Sequence, residues 1–525
     1  MNAILFNGQI YPQVRIARPS LVVITGNRIT ELGNDVKAAN KKFPRHRLIN
    51  LQGRTVIPGL VDSHTHLYFW AISLGTVHLD GVPTFAQALQ KIKAHARKNP
   101  KDKWIVGDGW SPDRWEPHHL PTAAELDSVT GDRPAALFSK DQHMVWANSK
   151  ALQLAGIDEN YPDPEGGWID REDHTRKPTG ILREIPGYFP VFKLINRPRP
   201  EQVVGLWRKA VRIAYRRGVT GFHSMDGPEA MDFYSMMHER GRLGFRVHYY
   251  YPSAMLDEII DRSIKSGDGD DTLRIGGIKI FTDGSLGAQT ALMKKPYRGT
   301  KNRLGVETIR TAELHRLIIK ATRHNLACAI HAIGDRAVAN VIDGFIKAGR
   351  GRELRHRIEH LQIISPGDIP RLKKTGVIAS MQPSHCPSDR ELVAAYWGAR
   401  GRHAFKFKTL LGQKIPLAFG SDCPIEPLDP LAGICAAVNR TGYGERGGRF
   451  YPEERLTVAR ALAGFTTGAA YAAGREDFSG KIAPGYQADL AILDDNIFTM
   501  PPADIYRTQV AATIFDGKFV FRGTL

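Results

Sequence analysis

Apolar and polar stretches alternate regularly along the second half of the chain. From about residue 218 the sequence repeats an apolar, β-branched run, a short loop and an amphipathic helical segment. Strand runs that alternate with helices predict a parallel sheet. The predicted strands of this region are 218–225, 245–251, 275–282, 326–333, 356–362, 376–382 and 415–421.

An eighth apolar run lies much earlier in the chain, at residues 55–66. Pro58 and Gly59 bend this run, and we interpret 56–66 as one short buried strand. Eight units of strand and helix predict an α/β fold, a (β/α)8 TIM-like barrel whose active site lies at the C-terminal strand ends. Polar residues at these strand ends are therefore the first candidates for chemistry.

The two ends of the chain predict a separate β structure. Short strands are expected at 4–10, 21–24 and 28–32, and again at 488–493, 510–515 and 518–521. Asp516 and Gly517, between the last two runs, are a strong hairpin signal. Both termini are therefore expected to form one small β-sandwich.

Residues 70–215 do not follow the barrel repeat and are too long for a loop between two strands. Their own helix and strand signals predict an inserted α/β subdomain over the barrel mouth. The expected domains are a β-sandwich of 1–57 with 475–525, a metal-binding barrel of 58–75 with 216–474, and an insertion of 76–215.

The composition is that of a soluble globular protein, with 42% hydrophobic and 24% charged residues among 525. The chain has no apolar run long enough to cross a membrane, and its start does not resemble a secretory signal. The four cysteines lack C-x-x-C spacing and are expected to be buried thiols. These features favour a cytoplasmic location without a membrane partner.

The net charge of +18 raises a second class of function, a basic binding protein. The basic residues are spread, however, and the sequence has no basic helix interleaved with aromatic residues. A solvated basic surface is therefore the preferred interpretation, and no nucleic-acid partner is expected. A non-catalytic binding or regulatory protein remains the alternative from outside the enzyme class.

Two histidines mark the end of the first predicted barrel strand. His64 and His66 are separated by one residue, so both imidazoles point to the same face of the strand. Two neutral imidazoles that converge form half of a divalent metal site. The pair alone is a weak signal, because polar residues are common at strand ends.

Other predicted strands also end in polar residues, namely Lys279, His331, His360 and Asp422. A histidine alone is more often structural, and Asp422 alone could cap a turn. Lys279 is the least ordinary, because a buried lysine is costly unless it is paired or neutral. It is either a snorkelling lysine or an amine with a lowered pKa. Together the set indicates a metal site with Asp422 as a metal-bound general base.

The chain resembles the amidohydrolase superfamily of metal-dependent hydrolases over nearly its whole length. The opening motif is VIPGLVDSHTH at 56–66, and the closing motifs are TTGAA at 466–470 and GKIAPGYQADL at 480–490. The chain is similar to the branch that contains N-substituted formamide deformylases. The branch motifs are KIFTDGSLG at 279–287, HAIGD at 331–335, GSDCP at 420–424, GDGW at 107–110, LPT at 120–122 and DQH at 141–143, where Gln142 replaces the usual glycine.

The resemblance implies two divalent metal ions. The more buried ion would be bound by His64, His66 and Asp422, and the second ion by His331 and His360. Lys279 would be carboxylated by CO2, and the carbamate would bridge both ions. Zinc is the first expectation, while iron, manganese and nickel suit the same nitrogen and oxygen ligands. Paired ions would generate hydroxide near neutral pH, and Asp422 would carry its proton to the leaving amine.

The resemblance thus implies a metal-dependent hydrolase that acts on carbon–nitrogen bonds other than peptide bonds, with a small-molecule substrate. An N-substituted formamide or another small N-acyl amine is the first substrate expected. A lactonase, a cyclic-amide hydrolase or a deaminase would use the same site, since a fold does not fix a substrate. Relatives are often dimers, so a homodimer is one option.

Three residues are weaker candidates for substrate contact. His143 and Trp110 lie in the insertion, and Asp283 follows Lys279 along the chain. The tryptophans of the insertion could equally form its core, and Asp283 could instead orient a metal ligand. Glu359 precedes His360 and is expected to face the opposite side of the strand, in a structural role.

Overall fold

The computed structural model describes residues 1–12, 19–195, 198–349, 351–442 and 450–525. These residues form two compact units. The first unit consists of Met1–Leu67, Lys209–Ile280 and Ala312–Leu525, and the second of Tyr68–Arg208 and Phe281–Thr311. The three-domain division of the sequence stays a prediction.

The centre of the first unit is an eight-stranded parallel sheet that nearly closes into a barrel. The strands are consecutive around the barrel in chain order. They are β1 (Leu60–Thr65), β2 (Val219–Ser224), β3 (Arg246–Pro252), β4 (Leu273–Phe281), β5 (Ala327–Ala332), β6 (Arg357–His360), β7 (Ile378–Met381) and β8 (Leu417–Phe419). The predicted (β/α)8 TIM-like fold is confirmed.

The chain closes the barrel where the segment after β8 meets β1. The Asp422 backbone N–H donates to the His64 carbonyl at 2.8 Å. The Ser421 N–H and hydroxyl both donate to the Asp62 carboxylate of β1, at 3.0 and 2.5 Å. Gly420 permits this approach, because a Cβ there would lie 2.4 Å from the His64 nitrogen. The two strand ends that carry His64 and Asp422 are therefore fixed against each other.

Helices follow the barrel strands, as the sequence pattern predicts. Those between or after β2 to β8 include Pro228–Glu239, Leu256–Asp261, Thr311–Arg323, Asp335–Ala348, Ile369–Thr375, Phe407–Gly412 and Pro430–Asn439. The other α-helices described are Val36–Lys42, Leu67–Ser73, Phe85–Lys98, Ala123–Thr130, Ser149–Ala155, Glu184–Phe192, Pro200–Tyr215, Gly351–Leu354, His385–Ser388, Arg390–Leu392, Val458–Gly464 and Thr467–Ala472. Across the described ranges, none of the helices combines the length and apolar character needed to cross a bilayer.

The two chain ends form two sheets that share one apolar core. One sheet has the order Arg28–Gly33, Leu21–Thr25, Ala3–Phe6 and Arg47–Asn50. The other has the order Gln9–Ile10, Thr55–Pro58, Leu490–Leu493, Val510–Phe515 and Lys518–Arg522. Side chains from both sheets, such as Leu5, Val22, Leu490 and Ile514, pack together. The β-sandwich expected from the termini is confirmed.

The interpretation of 56–66 as one strand is wrong. Thr55–Pro58 pairs with Leu490–Leu493 in the sandwich, whereas Leu60–Thr65 pairs with β2 in the barrel. Proline lacks the N–H that a continuous ladder would need, so Pro58 ends the first strand. A Cβ at Gly59 would lie 2.4 Å from the Thr220 hydroxyl, so glycine allows the crossing between sheets. The run 4–10 is likewise two strands.

The second unit contains a mixed six-stranded sheet. Its order is Trp168–Arg171, Pro178–Arg183, Met144–Ala147, Ala135–Ser139, Ile105–Trp110 and Val77–His78. One apolar cluster includes Ile92 from the helix Phe85–Lys98 together with Leu137, and another includes Phe138 and Leu152. Leu137 and Phe138 are neighbours on one strand, so the clusters lie on opposite faces of the sheet. This part of the chain therefore has the mixed α/β architecture predicted for the insertion.

Candidate metal centre

The structure brings polar residues from the ends of five barrel strands to one place. The residues are His64 of β1 and His66 just after it, Lys279 of β4, His331 of β5, His360 of β6 and Asp422 after β8. All are buried except His66, whose side chain is 23% exposed. The ligand atoms of His64, His66 and Asp422 lie within 4.8 Å of one another. Parallel strands place these residues together because their C-terminal ends share one rim.

The orientation of His64 is fixed by a buried ion pair. His64 Nδ1 lies 2.5 Å from Glu359 Oε2, and Arg357 Nε donates to Glu359 Oε1 at 2.5 Å. A carboxylate only accepts, so the His64 ring carries its hydrogen on Nδ1. Burial opposes ionisation of Glu359, but Arg357 and His64 hold the pKa of its carboxyl well below its usual range. His64 Nε2 is left as a buried lone pair without a hydrogen bond.

The expectation that Glu359 faces away from His360 and the site is wrong. Glu359 contacts His64, and both it and His360 are buried. The reason lies in the backbone: His360 has a φ of +69° and Leu361 a φ of +45°. The regular strand geometry therefore ends at His360. The alternation rule then no longer requires the Glu359 side chain to face away from the His360 side chain. Glu359 acts as the partner that orients a candidate ligand.

His360 is held in a similar way by the residue that follows β7. His360 Nδ1 lies 2.9 Å from Gln382 Oε1. The amide oxygen accepts, so Nδ1 carries the hydrogen and Nε2 has the lone pair. The His360 ring lies 4.5 Å from the His331 ring and 4.8 Å from the His64 ring, centroid to centroid. Three imidazoles thus converge in the buried interior of the rim.

Asp422 lies between the histidines. Its Oδ1 is 3.3 Å from His64 Nε2 and 3.5 Å from His66 Nε2, and its Oδ2 is 3.8 Å from His360 Nδ1. Burial opposes ionisation, but the surrounding histidines hold the pKa of Asp422 well below its usual range. Its backbone has a φ of +61°, a left-handed conformation that aspartate adopts more readily than most residues. The side chain is therefore an ionised carboxylate aimed at the histidines.

Lys279 is buried near two carboxylates. Only 3% of the residue is exposed. Burial lowers the pKa of its amine to about 8, although Glu359 and Asp422 favour the charged form. The interpretation of Lys279 as a snorkelling lysine is wrong, because its ammonium does not reach solvent. A lysine with this pKa has a substantial neutral fraction near pH 8 and can act as a nucleophile.

Asp62 is a buried carboxylate that the sequence patterns did not single out. It accepts hydrogen bonds from the Ser421 N–H and hydroxyl and from the His64 N–H. Burial raises the pKa of Asp62 to about 7, against these hydrogen bonds. Its contacts tie β1 to the segment after β8. Asp62 therefore positions His64 and Asp422 rather than facing the candidate ligands itself.

The segment after β7 contributes a histidine that the strand-end analysis missed. His385 is 6% exposed, and its Nε2 lies 3.8 Å from Asp422 Oδ2. Its ring stacks on the His360 ring, with a centroid distance of 6.2 Å and an angle of 14°. His360, His385 and Asp422 form a second group whose ligand atoms lie within 4.8 Å. The run Gln382 to His385 carries no strand period, so only its histidine could have signalled the site.

The weaker candidates His143, Trp110 and Asp283 all lie in the second unit. His143 Nδ1 lies 2.8 Å from Glu184 Oε2. Although burial alone would lower the pKa of His143, Glu184, Asp141 and Asp283 raise it to about 9. His143 is therefore a cation near neutral pH, paired with a carboxylate.

Trp110 and Asp283 have structural partners in the same unit. Trp110 is 0% exposed, donates its indole N–H to the Leu137 carbonyl at 2.7 Å and packs on Trp115 and Trp146. We therefore assign Trp110 to the core of the insertion rather than to substrate contact. Asp283 accepts a hydrogen bond from the Leu292 N–H at 2.9 Å. Gln142 has a φ of +64°, which explains why glycine suits this position.

The donor set of the first unit fits divalent metal ions. His64 Nε2 and Asp422 Oδ1 are buried without hydrogen bonds, although polar atoms inside proteins are nearly always satisfied. Both His64 and His360 use Nδ1 on an oxygen acceptor, which is the usual arrangement of a metal-binding histidine. Neutral imidazole nitrogens and carboxylate oxygens suit zinc and related ions.

Comparison with known proteins assigns the chain to a class. A model of the amidohydrolase family matches residues 47–521. The chain therefore belongs to the amidohydrolase family, and the resemblance drawn from its motifs is confirmed. Membership of this family makes the chain a hydrolase that uses divalent metal.

Individual relatives match over nearly full length. YtcJ of Bacillus subtilis strain 168, whose amidohydrolase activity is itself inferred, is 32% identical over 531 residues, with 99% of each chain covered. The N-substituted formamide deformylase of Arthrobacter pascens is 26% identical and covers 96% of this chain and 95% of its own. Among solved structures, an uncharacterized metal-dependent hydrolase from Pyrococcus horikoshii has a TM-score of 0.78 at 30% identity, covering 96% and 99% of the two chains.

Proposed function

We propose that this protein is a binuclear metal-dependent amidohydrolase that cleaves a carbon–nitrogen bond of a small amide. The observation that carries the proposal is the convergence of buried His64, His360 and Asp422 with partly exposed His66. In this proposal one ion is held by His64, His66 and Asp422, and the other by His331 and His360. Zinc is the first metal to test.

In this proposal Lys279, once carboxylated, is the ligand that bridges the two ions. It is buried near Asp422 and Glu359, where a protonated amine would repel a nearby divalent ion. Reaction of the neutral amine with CO2 forms an N–C bond and releases one proton. The product is a carbamate, with a negative charge and two oxygen donors. This conversion would turn an unfavourable cation into a ligand suited to two ions.

Asp422 has the role of general base in the proposed reaction. Divalent ions bound here would polarise a substrate carbonyl and lower the pKa of a water molecule. Asp422 Oδ1, which makes no hydrogen bond of its own, would take the proton of the attacking water and pass it to the leaving amine. The carboxylate lies within 3.5 Å of the Nε2 atoms of His64 and His66, the other two proposed ligands of the same ion.

N-substituted formamides are the proposed first substrate class. The support is the similarity to the Arthrobacter pascens deformylase along 96% of this chain. The 26% identity leaves the substrate-binding surface free to differ, so other N-acyl amines belong in the same screen. Lactones, cyclic amides and aromatic amines test the alternatives that would use the same metals.

The test is a metal count per chain followed by hydrolysis assays on the metal-loaded enzyme. We expect about two divalent ions per chain, as in two-metal hydrolases, and release of formate and amine from formamides. One ion per chain would favour deaminase-like chemistry, and ammonia release from aromatic amines would confirm that alternative. Protein that cannot take up metal, but binds polyanions at low salt, would instead be a basic binding protein.

A substitution of the proposed base sharpens the test. Asp422→Asn should lower kcat by about 10²–10⁴, the usual contribution of a general base, and leave the folded structure intact. The control is Asp495→Asn, which removes an exposed carboxylate and should leave kcat unchanged. Near-normal turnover by Asp422→Asn on a confirmed substrate would show that Asp422 is not the base.

A further inference from the structure

His385 is a buried histidine without a place in the ligand set described above. Its Nε2 makes no hydrogen bond and faces Asp422 Oδ2 across 3.8 Å. That distance is too long for a hydrogen bond between the two side chains. Its ring is nearly parallel to the His360 ring, at a centroid distance of 6.2 Å and an angle of 14°. A buried polar atom aimed at the proposed base is therefore left for a group that enters the site.

The neighbours of His385 determine which of its ring nitrogens carries the hydrogen. Gln362 Nε2 lies 3.3 Å from His385 Nδ1 and 3.2 Å from Asp389 Oδ2. The Asp389 carboxylate accepts hydrogen bonds, so the amide of Gln362 must turn its NH2 group towards it. The second hydrogen of that NH2 group then points to His385 Nδ1. His385 Nδ1 is thus an acceptor, and the single hydrogen of the neutral ring lies on Nε2.

This arrangement separates His385 from the metal ligands. His64 and His360 give their Nδ1–H to oxygen acceptors and keep a lone pair on Nε2. His385 has the reverse pattern, and an Nε2 that carries hydrogen has no lone pair for a metal ion. Although His385 lies within ligand distance of His360 and Asp422, its hydrogen bonding makes it a donor.

We propose that His385 is a catalytic residue whose Nε2–H donates a hydrogen bond to the carbonyl oxygen of the substrate. The inference rests on the proposed function, because it requires a carbonyl whose oxygen gains negative charge as water adds. His385 transfers no proton and forms no covalent bond in this role. It stabilises the developing oxyanion, while Gln362 acts as the positioning residue that fixes the tautomer.

The tautomer can be observed directly in the metal-loaded enzyme by NMR with 15N-labelled histidine. We expect the His385 signals, assigned by their loss in His385→Gln, to show hydrogen on Nε2 and a bare Nδ1. Gln362→Met removes the amide donor and should let the Nδ1–H form appear. Hydrogen on Nδ1 of His385 in the unsubstituted enzyme would overturn the proposal.

Kinetics and metal content provide the second test. His385→Phe should keep the metal count of the unsubstituted enzyme and lower kcat by about 10²–10³, the usual cost of losing one oxyanion donor. KM should change little. His385→Gln, whose amide N–H can take the place of Nε2–H, should recover part of kcat. His324→Gln, at an exposed histidine, is the control for loss of an imidazole and should change neither quantity.

The outcomes distinguish this inference from the proposed function. Loss of metal in His385→Phe would make His385 a ligand and overturn its role as a donor. Unchanged kcat in His385→Phe, with an active unsubstituted enzyme, would also overturn that role and leave the hydrolase proposal standing. If the unsubstituted, metal-loaded enzyme hydrolyses no carbonyl compound, the proposed function itself is overturned.

Discussion

At the scale of the residue, the partner of one ring nitrogen determines what the other can do. Glu359 accepts from His64, and Gln382 presents its oxygen to His360, so both rings are left with a lone pair. Gln362 presents its NH2 group to His385, so that ring is left with a donor. Under the two proposals, His64 and His360 would therefore bind metal and His385 would donate a hydrogen bond, because their neighbours differ.

The pairing of His143 with Glu184 predicts a pH dependence of stability in the second unit. The pKa of His143 rises from its ordinary value of 6.5 to about 9 in the folded protein. The cation therefore stabilises the fold fully below pH 6.5, and this contribution is lost as the pH rises through 9. We expect the charge of His143 to contribute about 1–3 kcal/mol to the free energy of unfolding, since its side chain is only 16% exposed.

The measurement is urea unfolding of the enzyme and of His143→Gln between pH 6 and 10. The substituted protein should be less stable at pH 6, and the difference should shrink towards pH 10. The control is His174→Gln, an exposed histidine of the same unit, whose stability should follow that of the enzyme. An equal loss for His143→Gln at every pH would contradict the assignment of the charge to His143.

At the scale of the element, the close contact between β8 and β1 is what brings Asp422 to His64. A Cβ at Gly420 would lie 2.4 Å from the His64 nitrogen and 2.6 Å from Asp62 Oδ1. Neither atom can move away easily, because the His64 nitrogen belongs to the backbone and the Asp62 carboxylate is hydrogen-bonded to Ser421. Gly420→Ala should therefore destabilise the protein by about 1–3 kcal/mol, the usual cost of overpacking, and weaken metal binding.

Gly412→Ala is the matched control for this prediction. Gly412 ends the helix Phe407–Gly412, and a Cβ there would meet nothing within 4 Å. Its stability and metal affinity should equal those of the unsubstituted protein. Thermal unfolding and a competition assay with a metal chelator would measure both quantities. A Gly420→Ala protein that binds metal as tightly as Gly412→Ala would show that the approach of β8 to β1 does not set the site.

The elements also show where sequence reasoning succeeds. Seven predicted barrel strands are present with ends displaced by a few residues, and the eighth is the later part of the run 56–66, because buried parallel strands have a strong apolar signal. Strand ends then locate His64, Lys279 and Asp422. The apolar pattern does not reveal irregular backbone geometry. The φ of +69° at His360 ends the alternation of side-chain directions that the sequence predicts for this strand. His385 was missed because it follows β7 in a segment without a strand period.

At the scale of the whole molecule, the sandwich and the barrel of the first unit are joined by polar contacts as well as by the chain. Arg246 of β3 donates to Asp489 beside the sandwich strand Leu490–Leu493, with a distance of 2.5 Å from Nε to Oδ2. The Thr513 hydroxyl donates to the Tyr215 carbonyl at 2.6 Å. Both contacts are buried or partly buried. We therefore expect the sandwich and the barrel to unfold in one transition.

Substitution in the sandwich core tests this coupling. Ile514 is 0% exposed and pairs with Leu490 of the neighbouring strand in the sandwich. Ile514→Ala should destabilise the protein by about 2–5 kcal/mol, because it removes buried methyl groups and leaves a cavity. The metal count and kcat at 25 °C should not change, because Ile514 does not touch the metal centre. Release of bound metal on heating should shift to lower temperature together with unfolding.

Lys518→Ala is the control in the neighbouring strand, because Lys518 is exposed and its loss should leave the unfolding temperature unchanged. Unfolding followed by circular dichroism, with a metal-sensitive dye present, reports both events in one experiment. If Ile514→Ala lowered the unfolding temperature while metal release stayed at its original temperature, the barrel would remain folded after the sandwich had unfolded. The two parts would then be separate folding units, joined through Pro58 to Leu60 but not coupled by Asp489 and Thr513.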